Sequence, residues 1–539
     1  MGKLNEENVI TGPAESKIPY VSYGQYTLDR LRGIPLRILQ VDGRTGQLLT
    51  NRDILERSVK LAAALEDRGV KVGDTIAISA ENHLNWFIAV CAVLYTGATI
   101  APMNPAYAKG QVIRCFKITK PRLIFVSRQS ENLISEAVRS LSWQMEILQL
   151  DDVPLGTNIT SLKSILNESR VWPDPYVYNA VKIERPDKQE AAVLYSSGTT
   201  GLPKGVMLSH RNLVLQGAAM RSSDFVNLHD TDVVLVMPPF FHGYGFGLTM
   251  SIFQSGAMAV TMSGFDPELY LDAIGKYKVT ILPVAPPIMN FFAKHPMIPR
   301  YDYSSVREII CGAAPLLPEV RRDALKRLGV SVLRNAYGMT ELSIVISMTN
   351  RNMKKPNSVG YLVPGASCKV IDPKTAESLG PREIGELCFN GGHVMLGYRN
   401  DPKATEETID KDGWLHSGDL GYYDEDGDLF VVDRLKELIK YKGFQVSPSE
   451  IESLLLSHPA ITDTAVVGKP DDDAGELPVA FVVKYPSSNV TAMEIINFVN
   501  EQVSPQSRIR GGVIFVDTIP KSSTGKILRK QLRIHLSKL

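Results

Sequence analysis

One short segment of this sequence concentrates the residue types that bind phosphate. Residues 195–205, YSSGTTGLPKG, follow the apolar run AAVL and contain two serines, two threonines, three glycines and one lysine. Glycine lets backbone N–H groups approach an anion closely, hydroxyl groups add donors, and lysine adds a positive point charge. The segment is not a P-loop, because Lys204 stands three residues after Gly201 rather than directly after a glycine. It therefore predicts a phosphate-binding loop of another type.

Four further residues could do chemistry, and all stand in glycine-rich or aromatic segments. They are His242 in PPFFHGYGF, Glu341 in NAYGMTE, Asp419 in GWLHSGD and Lys526 in PKSSTGK. Taken singly, a turn carboxylate, a lysine near the end of the chain and a histidine among apolar residues have ordinary structural explanations. Together they provide what ATP chemistry on an anionic substrate needs: positive charge at a defined position, and oxygen ligands for Mg²⁺.

Five segments, in this order, resemble the motifs of the adenylate-forming enzymes, a superfamily of acyl-CoA synthetases, 4-coumarate–CoA ligases and beetle luciferases. They are YSSGTTGLPKG at 195–205, NAYGMTE at 335–341, GWLHSGD at 413–419, DRLKELIKYKG at 433–443 and PKSSTGK at 520–526. The flanking text PDDDAGELP and RGGVIFVD looks closest to insect luciferase-like fatty acyl-CoA synthetases. The resemblance implies that a carboxylate attacks the α-phosphate of ATP, which gives an acyl-adenylate and pyrophosphate. The thiol of coenzyme A then displaces AMP.

The resemblance also implies which residues hold ATP and Mg²⁺. Lys204 and the loop hydroxyls take the β- and γ-phosphates, Thr340 and Glu341 take the α-phosphate and Mg²⁺, and Lys526 bridges the attacking carboxylate and the α-phosphate. Asp419, with Arg434 beside it, accepts hydrogen bonds from the ribose, and adenine packs between Tyr337 and a smooth backbone wall. The implied nucleotide-binding residues are Ser196, Ser197, Gly198, Thr199, Thr200, Gly201, Lys204, Gly312, Ala313, Ala314, Tyr337, Gly338, Asp419 and Arg434, with Thr199 and Glu341 as metal ligands.

The acid and the thiol have implied sites of their own. His242 is expected at the junction of the acid and nucleotide sites, with Tyr244, Gly245, Met339 and Ile344 toward the acid. In relatives the C-terminal domain rotates about a residue that matches Lys436. This rotation moves the residue that matches Lys526 out of the active site and brings a second face of the domain into it. That face is implied to carry Lys440, Gly443 and Gln445, with Lys440 catalytic in the thiol step.

Two functions compete for this set of motifs. The first is an ATP-dependent acid–CoA ligase for a hydrophobic, fatty carboxylate, with an aromatic acid of the 4-coumarate type left open. The second is a luciferase-type monooxygenase. Beetle luciferases commonly carry arginine six residues after the histidine that follows the phosphate loop and serine three residues after the YGxTE glutamate. Here these positions hold Gln216 and Ile344, which favours the ligase. A non-enzymatic binding module would be expected to lack Lys526 or Glu341.

The elements that position these residues are predicted to form an α/β fold. Apolar runs of strand length, such as TIAIS at 75–79, LIFVS at 123–127 and VVLVM at 233–237, alternate with helical spacing, as in ILERSVKLAAAL at 54–65. This pattern is typical of layered subdomains with buried, mostly parallel strands. After residue 360 short strands and tight turns predict a small antiparallel sheet or barrel. The predicted domains are a large adenylation portion, 1–435, and a small, mobile α+β cap, 436–539.

Composition, charge and the last three residues limit the binding partners and the cellular location that are expected for this protein. The 539 residues include 59 basic and 58 acidic ones, so no positive excess is available for nucleic acid. The five cysteines are scattered and predict reduced core thiols rather than disulfides or zinc ligands. The most apolar stretch, 86–103, predicts a buried helix and strand rather than a membrane span. The tripeptide Ser537-Lys538-Leu539 matches the peroxisomal address and predicts recognition by the import receptor.

Overall fold

The chain forms a large N-terminal domain built on three sheets and a small C-terminal domain built on one. The structure is a computed structural model, and it describes all residues except 1–2, 5–6, 15–17, 153–158, 197–202, 224, 353–354, 356, 487, 523–524 and 539. The α/β class predicted from the alternating sequence pattern is confirmed, as is the division into a large and a small domain.

The strands are short, as expected for buried strands of an α/β fold. In chain order they are β1 (Lys3–Leu4), β2 (Val9–Thr11), β3 (Ile38–Asp42), β4 (Leu48–Thr50), β5 (Thr75–Ser79), β6 (Thr99–Met103), β7 (Leu123–Val126), β8 (Glu146–Gln149), β9 (Thr160–Ser161), β10 (Glu190–Ser196), β11 (Lys204–Ser209), β12 (Val233–Val236), β13 (Met258–Thr261), β14 (Ile281–Val284), β15 (Glu308–Cys311), β16 (Leu333–Tyr337), β17 (Ser347–Met348), β18 (Tyr361–Leu362), β19 (Ala366–Ile371), β20 (Gly385–Gly391), β21 (Gly397–Tyr398), β22 (Leu415–Tyr423), β23 (Leu429–Arg434), β24 (Ile439–Tyr441), β25 (Phe444–Val446), β26 (Ile461–Asp471), β27 (Gly475–Lys484) and β28 (Val513–Phe515).

The helices cover the faces of the parallel sheets. In chain order they are α1 (Tyr23–Gly33), α2 (Asn51–Asp67), α3 (Trp86–Tyr95), α4 (Lys109–Thr119), α5 (Glu131–Val138), α6 (Leu162–Leu166), α7 (His210–Arg221), α8 (Gly243–Ser255), α9 (Pro267–Lys276), α10 (Pro286–Lys294), α11 (Pro318–Leu328), α12 (Pro402–Thr408), α13 (Pro448–Ser457), α14 (Ala492–Asn500) and α15 (Arg529–Leu536). Short 3₁₀ turns lie at Ile298–Arg300, Thr340–Leu342 and Pro505–Ser507.

Local sequence explains where these elements begin and end. Helix α2 starts at a capping box in which the Thr50 side chain accepts from the Asp53 N–H and the Asp53 carboxylate accepts from the Thr50 N–H. It ends just before Gly69, whose φ of +76 lies in the left-handed region that a helix C-terminus uses. The apolar stretch 86–103 forms helix α3 followed by strand β6, both fully buried, as the sequence predicts.

Two large sheets carry the N-terminal domain. The eight-stranded sheet has the order β21-β11-β10-β6-β5-β7-β8-β9, and the nine-stranded sheet has the order β18-β17-β16-β15-β14-β12-β13-β3-β4. Strands β16, β15, β14, β12, β13 and β3 run parallel, whereas β17, β18 and β4 are antiparallel additions at the edges. Ligands of open parallel sheets bind beyond the carboxyl ends of the strands, and those ends are where the candidate residues lie.

The third sheet of the N-terminal domain is the antiparallel section predicted after residue 360. Its order is β1-β2-β19-β20-β22-β23, and the turn at 424–427 joins β22 to β23 with Gly427 at φ +78. No pairing between β1 and β23 occurs among the described residues, so the antiparallel part of the prediction is confirmed and its closure into a barrel is not seen.

The C-terminal domain packs a five-stranded sheet against helices α13, α14 and α15. Strands β25, β24, β27 and β26 are antiparallel neighbours, and β28 pairs with β27 in parallel. Its apolar core is separate from those of the N-terminal domain and includes Ile451, Val466 and Ile495.

The cysteines and the apolar helices behave as the sequence predicts. All five cysteines are buried and free. Burial raises the pKa of the Cys311 thiol to about 12, which keeps this side chain protonated. Across the described part of the chain, none of the helices combines the length and the apolar character needed to span a bilayer.

Candidate active site

The phosphate-binding side of the site begins where β10 meets β11. Ser196 ends β10 and pairs across the antiparallel ladder with Lys204, the first residue of β11. The Ser196 Oγ is buried and has no hydrogen-bond partner among the described residues. A buried hydroxyl without a partner is costly unless a bound group supplies one, so this end of the loop suits an anion. The predicted residues Ser197, Gly198, Thr199, Thr200 and Gly201 lie outside the described residues.

Lys204 and Glu341 are brought together by a tyrosine. The Lys204 Nζ lies 4.6 Å from the centre of the Tyr398 ring, a cation–π distance. The Tyr398 hydroxyl donates to Glu341 Oε1 at 2.9 Å, and the Met395 N–H donates to the Glu341 backbone carbonyl at 2.9 Å. Burial, followed by the nearby Glu341 charge, raises the pKa of Tyr398, so its hydroxyl stays a donor. The arrangement fixes the orientation of a buried carboxylate beside a lysine.

The segment after β16 carries Thr340 and Glu341 on a short 3₁₀ turn. Ser343 and Ile344 follow it with φ of +55 and +88. A β-branched residue in the left-handed region is a real outlier that the surrounding structure must hold in place. Gly338 precedes the turn, and a Cβ there would lie 1.9 Å from the Ile344 carbonyl oxygen. Because the backbone at 338 passes so close to the backbone at 344, position 338 requires glycine. The same turn directs Thr340 toward helix α8.

Asp419, Arg434 and Tyr337 meet at one point, as the sequence predicts. Asp419 on β22 stands opposite Arg434 on β23 in the strand register, and Arg434 Nε lies 3.2 Å from Asp419 Oδ1. The Tyr337 hydroxyl donates to Asp419 Oδ2 at 2.7 Å. Burial raises the pKa of Asp419, against the lowering effect of Arg434 and of the Tyr337 hydrogen bond. The result is a buried carboxylate, 5% exposed, that is held rigidly from two sides.

The predicted adenine wall follows β15. Gly312 is the first residue after that strand, and a Cβ there would lie 3.2 Å from the Ala336 carbonyl oxygen on β16. Ala313 adopts φ +75, and its side chain is exposed. Residues 312–314 thus follow the strand that pairs with β16, and Tyr337 is the last residue of β16.

His242 follows β12 and forms the N-cap of α8. Its Nδ1 accepts a hydrogen bond from the Tyr244 N–H at 3.3 Å. Burial lowers the pKa of His242 to about 4, helped by the positive charge of Lys526, so the imidazole is neutral near pH 7. Gly243 follows, and a Cβ there would lie 3.3 Å from Thr340 Oγ1. The start of α8 and the Thr340 turn therefore face each other closely.

Lys526 enters this site from the C-terminal domain. Its charge acts on both His242, the N-cap of α8, and Asp419 on β22. Burial and, second, the positive charge of Arg434 lower the pKa of Lys526 to about 8, while Glu437 and Asp419 oppose the shift. The lysine is half-buried and points to the place where the N-terminal elements converge.

Gly525 forms the contact between the domains next to that lysine. It has φ +82, and a Cβ there would lie 2.8 Å from the Pro287 Cγ at the start of α10. Two more links tie the domains together near the linker. The Ser447 hydroxyl and the Ser449 N–H both donate to the Asp433 carboxylate. The cap is therefore docked on the N-terminal domain.

Four predicted residues lie away from this convergence. Lys436 is exposed in the turn after β23, and Lys440, Gly443 and Gln445 are exposed on the β24–β25 hairpin. The Lys440 N–H donates to Glu476 Oε2 at 2.8 Å, which is a contact within the C-terminal domain. Their roles in a second step and as a hinge stay predictions, as does the domain boundary at 435/436.

A small cavity lies behind His242, between helices α7 and α8 and the end of β16. Its volume is about 20 Å³, which is room for about one water molecule. Ten residues line it, and eight are apolar, among them Met220, Leu248, Ile344 and Val345. The two polar ones are Tyr244, whose hydroxyl donates to the Ile310 carbonyl at 3.3 Å, and Gln216.

Two of the residues predicted to contact the acid lie elsewhere. A Cβ on Gly245 would lie 2.1 Å from the Pro239 carbonyl oxygen, so this glycine permits a tight helix start. Met339 is half-buried at the 3₁₀ turn, outside the cavity lining. Tyr244 and Ile344 line the cavity, and a contact of either residue with the acid stays a prediction.

The sequence interpretation missed Tyr398 as a member of the site. It stands in MLGYRN, a segment that indicates only a turn followed by a short strand. Tyr398 reaches Lys204 because β21 pairs with β11, with Val206 opposite Tyr398. A pairing between residues almost 200 positions apart leaves no signal in one sequence.

Two family models cover most of the chain. The model described as AMP-binding enzyme matches residues 34–399, and the model described as AMP-binding enzyme C-terminal domain matches residues 450–526. The chain belongs to the AMP-binding enzyme family, the adenylate-forming acid–thiol ligases, as the motif resemblance predicts.

Similar proteins come from two functional groups. A luciferin 4-monooxygenase of Photuris pensylvanica is 40% identical over 515 residues, which is 94% of this chain and 93% of the relative. A 4-coumarate–CoA ligase 2 of Nicotiana tabacum is 40% identical over 520 residues, or 95% and 93%. The two groups are equally similar, so identity alone does not choose between them.

Among solved structures, ATP-bound MatB from Rhodopseudomonas palustris superposes with a TM-score of 0.84 at 26% identity, over 95% of this chain and 98% of that one. The apo form of MatB gives a TM-score of 0.75 over the same share of this chain. The docked arrangement described above is therefore more similar to the ATP-bound form of that protein.

Proposed function

We propose that this protein is an ATP-dependent acid–CoA ligase that activates a hydrophobic, fatty carboxylate as its acyl-adenylate. The observation that carries the proposal is the position of Lys526. A lysine of one domain reaches, with a depressed pKa, the point where His242 and the Asp419 cluster of the other domain converge. A cation held there can bind two anions that would otherwise repel each other.

The residues present suit ATP and Mg²⁺ in the first step. Asp419, already fixed by Arg434 and Tyr337, offers acceptor oxygens to the ribose, and the exposed Ala313 next to Gly312 would present only a small side chain to a flat base. Glu341 and Thr340 would hold Mg²⁺, because carboxylate and hydroxyl oxygens are the ligands this ion prefers. When bound, Mg²⁺ offsets phosphate charge and polarises the phosphoryl group under attack.

Each of this chain's own residues has a defined task in that step. Lys204 and the Ser196 hydroxyl would bind the terminal phosphates, and Lys526 would hold the attacking carboxylate oxygen against the α-phosphate. His242 is neutral and caps the start of α8, so it would orient the carboxylate by hydrogen bonding and would not repel Lys526. The apolar cavity behind it excludes water from the reacting groups.

The second step needs a different face of the C-terminal domain. Lys440, Gly443 and Gln445 are exposed on one hairpin of that domain. A rotation near Lys436 would bring this hairpin to the adenylate and withdraw Lys526, and coenzyme A would then attack. The proposal of coenzyme A as the acceptor is supported by the similarity to 4-coumarate–CoA ligases.

The fatty nature of the acid is supported by the apolar lining of the cavity. Eight of its ten lining residues are apolar, and Met220 and Met348 are flexible enough to make room for a chain. A volume of about 20 Å³ requires such movement for any acid to enter.

A luciferase-type monooxygenase is the second candidate, because luciferin 4-monooxygenases are as similar as the CoA ligases. Gln216 and Ile344 stand where beetle luciferases commonly carry arginine and serine, and both of these residues line the cavity. This difference at the acid site favours the ligase.

A panel of acids tests the proposal. The protein is incubated with ATP, Mg²⁺ and octanoate, dodecanoate or cinnamate, with and without coenzyme A, and AMP, pyrophosphate and thioester are measured. The ligase forms thioester and AMP in equal amounts only when coenzyme A is present. Pyrophosphate release without thioester for every acid would refute it, and light from luciferin and ATP without coenzyme A would favour the second candidate.

Peroxisomal import through Ser537-Lys538-Leu539 stays a prediction from the sequence, and Leu539 lies outside the described residues.

A further inference from the structure

Three side chains of the types that bind zinc lie together on the antiparallel sheet of the N-terminal domain. Glu386 and Cys388 stand two residues apart on β20, so both point to the same face of the sheet. His416 on β22 stands directly opposite Cys388 in the ladder. The His416 Nδ1 lies 3.0 Å from Glu386 Oε2 and 3.6 Å from Cys388 Sγ. The three possible ligand atoms, one from each side chain, all lie within 4.8 Å of one another.

These ligand types and separations suit Zn²⁺ better than Mg²⁺. Zn²⁺ binds thiolate sulfur at about 2.3 Å and imidazole nitrogen or carboxylate oxygen at about 2.1 Å, so the ligand atoms of a tetrahedral site lie roughly 3.4 to 3.6 Å apart. The measured nitrogen–sulfur separation agrees with this range, and the nitrogen–oxygen separation is only slightly shorter. Mg²⁺ prefers oxygen ligands alone, which distinguishes this cluster from the pair Thr340 and Glu341.

The surroundings of the cluster also fit a bound ion. Cys388 is fully buried, whereas the His416 side chain is 30% exposed, so an ion can reach the cluster at the edge of that ring. On the other side of the imidazole, Asp410 Oδ2 lies 3.7 Å from His416 Nε2. A carboxylate at the second nitrogen commonly accompanies a metal-binding histidine, because it orients the ring and raises its basicity. Three protein ligands leave one tetrahedral position for water.

We propose that Glu386 Oε2, Cys388 Sγ and His416 Nδ1 bind Zn²⁺, in a site separate from the one proposed for ATP and Mg²⁺. Binding replaces the proton of the Cys388 thiol and the proton on His416 Nδ1, and both protons go to solvent. The sequence predicts no zinc ligand among the cysteines, because 28 positions separate Cys388 from His416 and only the pairing of β20 with β22 brings them together.

An ion in this cluster should affect the proposed ATP site through strand β22. The Gly418 N–H donates to Glu386 Oε1 at 3.0 Å, and Gly418 lies in the irregular stretch of β22 between His416 and Leu420. Asp419, the residue proposed to bind the ribose, comes next. Zn²⁺ would draw Glu386 and His416 toward itself and so displace Asp419 by a fraction of an ångström. Since a displacement of about 1 Å can cost roughly 10²-fold, the KM for ATP should rise by roughly 3- to 10-fold.

Cobalt spectroscopy tests the site without a catalytic assay. Co²⁺ takes the same ligands as Zn²⁺, and a cobalt–thiolate bond gives a charge-transfer band in the near ultraviolet. The full-length protein is titrated with Co²⁺ and then with Zn²⁺ at neutral pH, and about one equivalent of Zn²⁺ should remove the band. Cys388→Ser should abolish the band. His416→Gln keeps the thiolate but loses the imidazole, and it should weaken the affinity for Zn²⁺ by at least roughly tenfold.

Cys368→Ser is the matched control. Cys368 is a fully buried free cysteine on the neighbouring strand β19. It stands next to Lys369, the residue opposite Cys388, so its side chain points to the other face of the sheet. This variant should keep the cobalt band and the Zn²⁺ affinity of the wild type. Thermal unfolding of all three variants checks that each is folded.

Pyrophosphate release at buffered free Zn²⁺ tests the effect on ATP. The KM for ATP should rise in the wild type and not in Cys388→Ser, which corrects for Zn²⁺ bound to ATP itself. An equal response of both proteins overturns the effect on Asp419.

The site itself has its own decisive outcomes. A wild type without a thiolate band, a band that Cys388→Ser retains, or a band that Cys368→Ser also removes overturns it. If no acid yields pyrophosphate, the proposed ligase fails, while the cobalt titration still decides the metal site.

Discussion

The role proposed for Lys526 in the first reaction step requires a charged amine, and its surroundings bring its deprotonation close to physiological pH. Burial and Arg434 lower its pKa to about 8. The neutral amine cannot bridge two anions, so kcat/KM for pyrophosphate release should fall as pH rises through about 8. Lys526→Ala should reduce adenylate formation by roughly 10²- to 10³-fold at pH 7.

Lys526→Arg separates this lysine from other titrating groups. A guanidinium stays charged above pH 12, so this variant should be slower than wild type but should lose the decline near pH 8. The measurement is the pH profile of pyrophosphate release between pH 6 and 10. An unchanged alkaline decline in Lys526→Arg would assign that pKa to a different group.

Tyr398 should control the affinity for Mg²⁺ through Glu341. Tyr398→Phe removes the hydrogen bond that holds Glu341 Oε1 at 2.9 Å, and partners that orient a metal ligand typically change metal affinity by about tenfold or more. The Mg²⁺ concentration for half-maximal adenylate formation should therefore rise by about tenfold. Tyr422→Phe, which alters a ring stacked on Phe430 in the antiparallel sheet, is the control and should leave the Mg²⁺ dependence unchanged.

At the residue scale, the sequence predicts which side chains belong to the site but not which groups they form hydrogen bonds or ion pairs with. Asp419, Arg434 and Tyr337 could be predicted as a set, since each stands in a motif with a known role. The link from Tyr398 to Glu341 and the pairing of Cys388 with His416 could not, because they depend on how distant elements pack. A single sequence gives no information on whether a buried polar atom finds a partner.

At the element scale, the loop that carries Lys526 can adopt its position only because residue 525, at the domain contact, is a glycine. Gly525→Ala places a methyl group 2.8 Å from the Pro287 Cγ and forces an alanine into φ +82. The loop should shift and carry Lys526 with it, and a displacement of about 1 Å can cost roughly 10²-fold in rate. Adenylate formation should fall by that order, whereas thioester formation from a preformed acyl-adenylate should be largely kept.

Gly512→Ala tests whether the effect comes from the contact or from backbone strain alone. Gly512 has φ +95 in the same domain, and a Cβ there would meet no atom within 4 Å. This variant should lose some stability but keep adenylate formation close to wild type. Equal losses of adenylate formation in the two variants would show that strain, and not the contact with Pro287, is responsible.

The helices and buried strands follow from local patterns, and the irregular segments do not. Apolar runs and capping residues predict β5, α2 and α3 within a few residues. The crossing of Gly338 and Ile344 could not be predicted, because isoleucine disfavours the left-handed region and tertiary packing overrides that preference. The site is built on such irregular segments, so its shape could be described only from the three-dimensional structure.

At the scale of the whole molecule, the two proposed reaction steps would require two positions of the C-terminal domain. Lys436 stands in the turn that links the domains, and no backbone hydrogen bond from its N–H occurs in the described residues. Lys436→Pro should therefore be tolerated in the docked arrangement while it restricts φ there and the conformation of the residue before it.

The variant should keep adenylate formation within about threefold and reduce thioester formation by at least tenfold or so, since proline opposes the backbone change that a rotation needs. Single-turnover assays of the two half-reactions measure this. Lys442→Pro is not an adequate control, because the Lys442 N–H donates to Ala474. Lys436→Ala serves instead and should keep both steps. Equal loss of both half-reactions in Lys436→Pro would refute the hinge assignment.

The order of the domains could be predicted from the motifs, and their docking could not. The motif order places the lysine segment last, but nothing in PKSSTGK shows that Gly525 contacts Pro287 or that the charge of Lys526 acts on both His242 and Asp419. Those relations arise only when two separately folded cores meet.

The burial of all five cysteines makes the proposed rotation directly observable. Because the native thiols are inaccessible, maleimide dyes should react only with cysteines introduced at exposed positions. Ile384 in the N-terminal domain and Met493 in the C-terminal domain are 56% and 64% exposed, so Ile384→Cys and Met493→Cys provide a donor–acceptor pair on the natural background. Single-molecule energy transfer with such a pair would report the position of the cap through each catalytic cycle.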